Sequence, residues 1–143
     1  MRKQILGASA LLAFAALVPA PSHAQQAVQA NVPFSFEVGN KTMPAGDYTV
    51  QRVLTNDQAL QLVERTDPSV SVFILTNSID GTGKNAAPKL VFHCYADECF
   101  LSEVWMRSTS GRLLLPSRRE REVSRANAEN LLAVVVVPLT AKP

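Results

Sequence analysis

The sequence predicts an all-β, mainly antiparallel domain: a single sandwich or small barrel of about seven or eight strands, with one short helix near the C-terminus. Short segments of alternating or β-branched residues recur along the chain, separated by clusters of turn residues. A helical pattern occurs once, after Pro116. One helical segment among many strand-like ones favours a β-rich class over a mixed one.

The first 24 residues have the three-part layout of a secretory signal peptide. Arg2 and Lys3 precede an uncharged apolar run at 5–18, which ends in prolines and the small-residue triplet 22–24. We expect cleavage after Ala24. A run this short does not span a hydrocarbon core of ~30 Å as a permanent anchor. We therefore expect a secreted or periplasmic protein, with residues 25–143 forming one domain and no integral membrane association after cleavage.

The charge balance argues against nucleic acid as a partner. The leader holds Arg2 and Lys3 of the chain's 14 basic residues and none of its 12 acidic residues, so the remainder is balanced. Binding to nucleic acid depends mainly on neutralising many phosphates, which a balanced chain does not do. The apolar content of 47% instead predicts a buried core.

The first half of the mature chain predicts several strands. At 28–38 every even position is apolar and most odd ones are polar, which is the period of a strand with one wet face. Pro33 falls on the outward side and predicts an edge strand or a bulge. Further strands are predicted at the segments 48–54, 59–64 and 70–77, and the longest loop at 80–85.

The second half predicts a central hairpin and the helix. Strands at 89–95 and 99–106 flank a turn, and a short strand follows at 113–115. Ser117 and Glu120 match a capping box, so a helix is expected to run to Asn127. In this helix Arg118 would pair with Glu122, and Val123 and Ala126 would form the apolar stripe. The apolar run 131–137 predicts a buried strand that closes the sheet.

The two cysteines predict a disulfide. A hairpin with an even loop centred on Ala96 and Asp97 places Cys94 directly opposite Cys99, with β-carbons ~4.5 to 5.5 Å apart. An oxidising destination favours the bond, and reduced buried thiols are the alternative.

The same hairpin offers weak grounds for a metal site. The possible ligands are His93, Cys94, Asp97, Glu98 and Cys99. His93 and Cys94 are neighbours on a strand and point to opposite faces, so a site that uses both would need a bulge. We therefore expect no metal, with His93 as the weak candidate ligand, and no cofactor. No nucleophile elbow or phosphate loop of known spacing occurs. The sequence therefore favours a non-enzymatic protein over a hydrolase that uses His93 with Asp97, Glu98 or Glu103.

Loops are the predicted contact surface, because a sheet scaffold leaves its loops free for recognition. The segments 78–87 and 106–112 supply the candidate binding residues Asp80, Thr82, Lys84, Asn85, Arg107 and Arg112. The basic group at 118–125 is interleaved with glutamates, which is typical of a solvated helix face. Tyr95 and Trp105 are assigned to the core rather than to a contact surface.

Several segments together resemble a family of small secreted bacterial proteins without assigned activity. The resemblance covers nearly the whole mature chain and is carried by residues 32–39, 43–50, 89–93, 100–105, 115–117 and 120–122. It implies export and a β-rich domain, and it supplies no catalytic residues.

The resulting hypothesis is an exported, non-enzymatic binding or structural module with an unknown protein or small-molecule partner. The alternative is a small barrel that carries an apolar ligand, because both faces of the central strands hold aromatic and branched residues. A hydrolase is the third reading.

Overall fold

A computed structural model describes residues 27–53, 56–81, 87–107, 110–128 and 132–141, without the side chains of 56 and 57. Within these ranges the chain forms strands and one helix, as the sequence predicts. In chain order they are β1 (Val28–Val32), β2 (Phe36–Val38), β3 (Lys41–Met43), β4 (Gly46–Val53), β5 (Asn56–Glu64), β6 (Ser71–Leu75), β7 (Asn77–Asp80), β8 (Lys89–Tyr95), β9 (Glu98–Trp105), β10 (Ser110–Leu113), α1 (Arg118–Ala126), β11 (Ala133–Pro138) and β12 (Thr140–Ala141).

The strands form two sheets that pack face to face. Sheet A has the order β12-β1-β4-β5-β6, and sheet B has the order β11-β8-β9-β10-β7 with β2 and β3 attached beside β9. All pairings are antiparallel except that of β2 with β9. The predicted antiparallel all-β class is confirmed. Among the described strands, neither sheet closes on itself, and each ends in strands with an unpaired edge. Of the two predicted architectures, the chain therefore forms the sandwich and not the barrel.

Three extended segments cross from one sheet to the other, and the single strand predicted at 28–38 becomes two. The segment 28–38 breaks at 33–35, the segment beginning at 71 breaks at Thr76, and the last segment breaks at Leu139. Pro33 cannot donate to a ladder, which accounts for the first break. Thr76 is buried, and its hydroxyl donates to the Gln58 carbonyl at 2.8 Å, which holds the second corner. The described count is therefore twelve strands rather than seven or eight.

The core lies between the sheets and is filled by aromatic and aliphatic side chains. Phe36 packs edge to face against Tyr48 and Phe92, with ring centroids 5.3 and 5.2 Å apart. All three side chains are at most 2% exposed. The even positions from Val28 to Val38 face this core on both sides of the crossing, although Phe34 is only half buried. The alternation predicted for 28–38 is therefore confirmed as a burial pattern.

Two predicted strands differ from the structure. The short strand expected at 113–115 lies at Ser110–Leu113, and Leu115 is exposed. The valine run forms β11, which is an edge strand rather than a buried one. Val134 and Val136 are 57% and 52% exposed because one face of the sheet B edge meets solvent.

The helix begins as predicted but buries a different residue. Ser117 caps it, with its hydroxyl accepting from the Glu120 amide at 3.1 Å, and Arg118 pairs with Glu122 at 3.0 Å. Val123 is buried as expected, but Ala126 is exposed. Glu120 takes the second inward position, so the predicted apolar stripe is half wrong. In the described ranges, no helix has the length and apolar character needed to cross a membrane.

Candidate functional site

The β8–β9 hairpin carries the predicted disulfide. Cys94 and Cys99 are direct partners in the ladder, and their sulfurs are 2.06 Å apart. The connecting turn contains Ala96 and Asp97, and Ala96 has a φ of 52°. A positive φ is unfavourable for a residue with a Cβ, so the hairpin holds its turn against a local preference.

Glu120 fastens helix α1 to the outer face of this hairpin. Its carboxylate accepts from the Ser117 backbone N–H and the Tyr95 hydroxyl, and it lies 3.8 Å from Nδ1 of His93. Burial raises the pKa of Glu120 above its ordinary value, although these two hydrogen bonds act in the opposite direction. The capping-box glutamate is therefore also the contact between helix and sheet.

An exposed ion pair extends this attachment and borders a cleft. Arg119 donates from Nε to Oε2 of Glu98 at 3.1 Å and from Nη2 to Oε1 at 2.5 Å, and this pairing raises the pKa of Arg119. The cleft between the hairpin tip and α1 has a volume of about 370 Å³. It is lined by the turn residues 95–98 and by both polar and apolar residues of the helix, including Val123 and Ala126.

His93 has the Glu120 carboxylate as a neighbour, with Nδ1 and Oε1 3.8 Å apart. The hairpin register places His93 and Cys94 on opposite faces, as the sequence predicted. Across the described part of the chain, no group of three histidine, cysteine or acidic side chains is placed to hold a metal ion.

The two predicted binding loops are largely strand where the structure describes them. Asp80 pairs with Ser110, and Arg112 pairs with Ser78, so β7 and β10 lie side by side. The prediction that all of 78–87 and 106–112 form loops is wrong for 78–80 and 110–112, because these residues complete the edge of sheet B. Arg107 is exposed beyond β9. The candidates Thr82, Lys84 and Asn85 lie outside the described residues.

The two aromatic residues assigned to the core are half buried on the outer face of sheet B, which corrects that assignment. Tyr95 packs edge to face on Phe100 at 6.0 Å. Trp105 lies flat against Gly111, where a Cβ would come within 2.7 Å of the indole ring, and its Nε1 donates to Glu103. The glycine thus makes room for the tryptophan.

A buried glutamate at the end of β5 escaped the sequence reasoning. Glu64 is 6% exposed and accepts from the Thr66 hydroxyl and the Asp67 amide. The Thr66 hydrogen bond lowers the pKa of Glu64, while burial, together with the Glu64 charge, raises the pKa of Tyr48 to about 12. The signal was present, since Glu64 follows Leu60 and Leu62 on the inward face.

The outer edge of sheet A was also missed. The carbonyl of Val70 accepts from the Glu64 amide, and the amide of Thr76 donates to the Gln58 carbonyl, so both residues hydrogen-bond with β5. In an antiparallel ladder only every second residue of a strand bonds with a given neighbour, which makes Val72 and Ile74 the other bonded residues. Phe73 and Leu75 therefore direct their backbone N–H and C=O groups away from β5. Their side chains are 67% and 75% exposed. We call the backbone and side chains of Phe73 and Leu75 the open edge.

Lys41 closes the lower end of the same strand. Its ammonium donates to the carbonyl of Ser71 at 2.6 Å, so the next outward-facing carbonyl below the open edge is occupied. A lysine on an edge is a common device against unwanted pairing. The open edge therefore has a defined lower limit.

The edge of sheet B at β11 is less open. The Leu139 amide donates to the Pro88 carbonyl, so the odd-numbered residues of β11 are the ones that hydrogen-bond with β8. The backbone groups of Val134 and Val136 therefore also point away from the sheet. Pro138 has no N–H to offer, and β1 lies beside β11. This edge is the matched comparison for β6.

Comparisons with protein-family models, with curated proteins and with solved structures found no match to this chain.

Proposed function

We propose that this chain is an exported, non-enzymatic binding module that adds an extended polypeptide segment to the edge of sheet A. The observation that carries the proposal is the open edge, where Phe73 and Leu75 present exposed apolar side chains and backbone groups that face away from β5 and have no partner among the described residues. In strand addition the main chain supplies hydrogen bonds and the alternate side chains supply specificity. The open edge offers both.

The other edges support the choice of β6. β12 has two residues, β7 is short and polar, and β11 carries Pro138. Natural sheets normally protect a long apolar edge strand by charge, proline or cover. β6 has such protection from Lys41 at its lower end, while its two upper outward positions remain apolar.

Export rests on the leader at 1–24, which has the layout of a signal peptide. The disulfide of Cys94 and Cys99 supports the same destination, since such bonds persist in oxidising compartments. These two features together support a periplasmic or extracellular setting.

The two alternative functions have less support. An apolar carrier needs an interior cavity, and the described centre of the sandwich is filled by Tyr48, Phe36 and Phe92. A hydrolase that uses His93 would need it beside an activated nucleophile, and its described polar neighbour is the helix-fastening Glu120. Neither alternative has an observation that favours it over strand addition.

The test is capture of partners from the exported proteins of the native host, with three variants of the bait. Phe73→Lys places a charge on the open edge, and Val136→Lys makes the same change on the opposite edge. Lys84→Glu tests the predicted loop. We expect Phe73→Lys alone to abolish capture. Loss of capture with Lys84→Glu and retention with Phe73→Lys would return the contact surface to the loop.

A second measurement locates the contact directly. Hydrogen–deuterium exchange of the captured complex should show new protection at the amides of Phe73 and Leu75. New protection confined to 106–112 would contradict the proposal.

A further inference from the structure

The open edge is complementary to itself. When two β6 strands pair antiparallel about a twofold axis at Ile74, Phe73 of each copy lies opposite Leu75 of the other. Both residues direct their backbone groups outward, so these two positions form hydrogen-bonded pairs. Side chains that lie directly opposite share one face, which brings an exposed phenyl ring against an exposed isobutyl group twice. A single strand thus supplies both halves of a twofold interface.

Lys41 selects this register over its neighbour. An axis at Phe73 would instead set Leu75 against Ser71 of the second copy. The Ser71 carbonyl already accepts the Lys41 ammonium at 2.6 Å, so that register would have to displace an existing hydrogen bond. The axis at Ile74 uses only groups that the described chain leaves free.

Charge favours an uncharged occupant for this edge. Residues 71–75 carry no charge, and the outward neighbours on β5 are Ala59, Gln61 and Val63. At Phe73 and Leu75 an added strand with ionised side chains would meet no counter-charge from the residues that face them on β5, since the described cation Lys41 lies at the lower end of β6. A second copy brings the same uncharged surface and therefore no like-charge repulsion.

The area at the open edge sets the strength of the interaction. Two phenylalanines and two leucines bury a few hundred Å², well below the ~1,200 Å² at which stable interfaces begin. The expected dimer is consequently weak and depends on concentration.

We propose that the strand added at the open edge is β6 of a second copy of this chain, which joins two sheets A into one continuous sheet. This inference rests on the proposed function, because both use the same edge. It commits to a twofold antiparallel dimer with Phe73 opposite Leu75.

Sedimentation velocity of the purified protein from micromolar to millimolar concentration tests the dimer. We expect reversible dimerisation of the unmodified chain and at least a tenfold weaker association for Phe73→Lys. Val136→Lys is the matched control and should dimerise unchanged. A chain that stays monomeric throughout, or one whose dimer is lost with Val136→Lys and kept with Phe73→Lys, would overturn the inference.

Cross-linking tests the register. Hydrogen-bonded pairs have Cα atoms ~5.5 Å apart, which a disulfide can bridge. A mixture of Phe73→Cys and Leu75→Cys chains should form covalent dimers on mild oxidation, while Phe73→Cys alone should form few. Adding Lys41→Ala to Phe73→Cys should raise its self-cross-linking, because the Ser71 carbonyl is released. Equal cross-linking of Phe73→Cys alone and of the mixture would reject the Ile74 axis.

These outcomes separate the inference from the proposed function. A monomeric chain whose captured partner protects the amides of Phe73 and Leu75 would reject the dimer and keep strand addition. A chain whose edge amides stay unprotected, both at high concentration and with captured partners, would reject both.

Discussion

The two sheets of the sandwich differ in how their outer sides are covered. Sheet B is covered over its β8–β9 hairpin by helix α1, which is fastened by the buried Glu120 and by the Arg119–Glu98 pair. Sheet A ends at β6 with two exposed apolar side chains and outward-facing backbone groups. Ionisable residues thus hold the helix on sheet B, the closed side, while the open edge of sheet A consists of the uncharged Phe73 and Leu75.

The difference separates the contacts that hold the fold together from the surface proposed for strand addition. Polar contacts on sheet B join elements that are distant in sequence, such as α1 and the hairpin. A change there should alter the free energy of unfolding. A change at the open edge should alter association with little effect on folding, since those side chains are already exposed in the single chain.

Removing the carboxylate that fastens the helix should have the largest effect. Glu120→Ala leaves the Tyr95 hydroxyl and the Ser117 amide without their partner, and hydrogen bonds to charged groups contribute about 1.5–3 kcal/mol each. We expect a loss of about 3 kcal/mol in urea unfolding. Glu120→Gln keeps an acceptor and should lose less than about 1 kcal/mol. Equal losses for the two variants would show that the hydrogen bonds do not fasten the helix.

Removing the disulfide should come second. The cysteines are five residues apart in sequence, and loop-closure entropy for so small a loop gives about 2 kcal/mol. The double variant Cys94→Ala, Cys99→Ala should therefore unfold at lower denaturant with the same overall fold. Unchanged stability would mean that the hairpin is closed by its ladder alone.

The Glu120 carboxyl should also give the closed side a pH dependence. Its folded pKa is raised above the ordinary 4.5, so its stabilising contribution is complete below that value and is lost as pH rises through the folded pKa. The unfolding free energy of the unmodified chain, minus that of Glu120→Gln, should accordingly fall as pH rises. The lowered pKa of Glu64 makes its own contribution to stability increase with pH. Glu64 is present in both the unmodified chain and Glu120→Gln, so its contribution cancels in the difference. A difference that is flat with pH would contradict the raised pKa.

Relieving the hairpin turn should have a small effect of opposite sign. Ala96 has a positive φ, which costs a residue with a Cβ about 1 kcal/mol and costs glycine little. Ala96→Gly should therefore stabilise the chain by a few tenths of a kcal/mol up to about 1 kcal/mol. Asp97→Gly is the matched control, because Asp97 has no positive φ, and it should not stabilise.

The open edge should show the smallest effect on stability. Phe73→Lys changes an exposed side chain and should alter the unfolding free energy by no more than about 0.5 kcal/mol. A loss of several kcal/mol would show that Phe73 supports the fold and that the edge is not free for binding.

The sequence predicted the features that depend on local pattern. The even positions of 28–38 other than the half-buried Phe34 are buried, Ser117 caps the helix, and Cys94 meets Cys99. Each follows from a period or a turn length. Glu64 was also within reach, because it continues the inward positions of Leu60 and Leu62.

The features that depend on strand order were out of reach. The alternation at 28–38 continues through Pro33, so side-chain periodicity does not reveal that the chain changes sheets there. Phe73 belongs to an apolar run, and only its position on the last strand of sheet A makes it exposed. Likewise Glu120 was recognised as a cap, while its contact with Tyr95 depends on how α1 lies over β8.

Residue-resolved hydrogen–deuterium exchange of the single chain at low concentration tests the open edge most directly. We expect the amides of Phe73 and Leu75 to exchange fast while those of Val72 and Ile74, which bond with β5, are protected. Uniform protection from residue 72 to residue 75 under these conditions would contradict an open edge on sheet A.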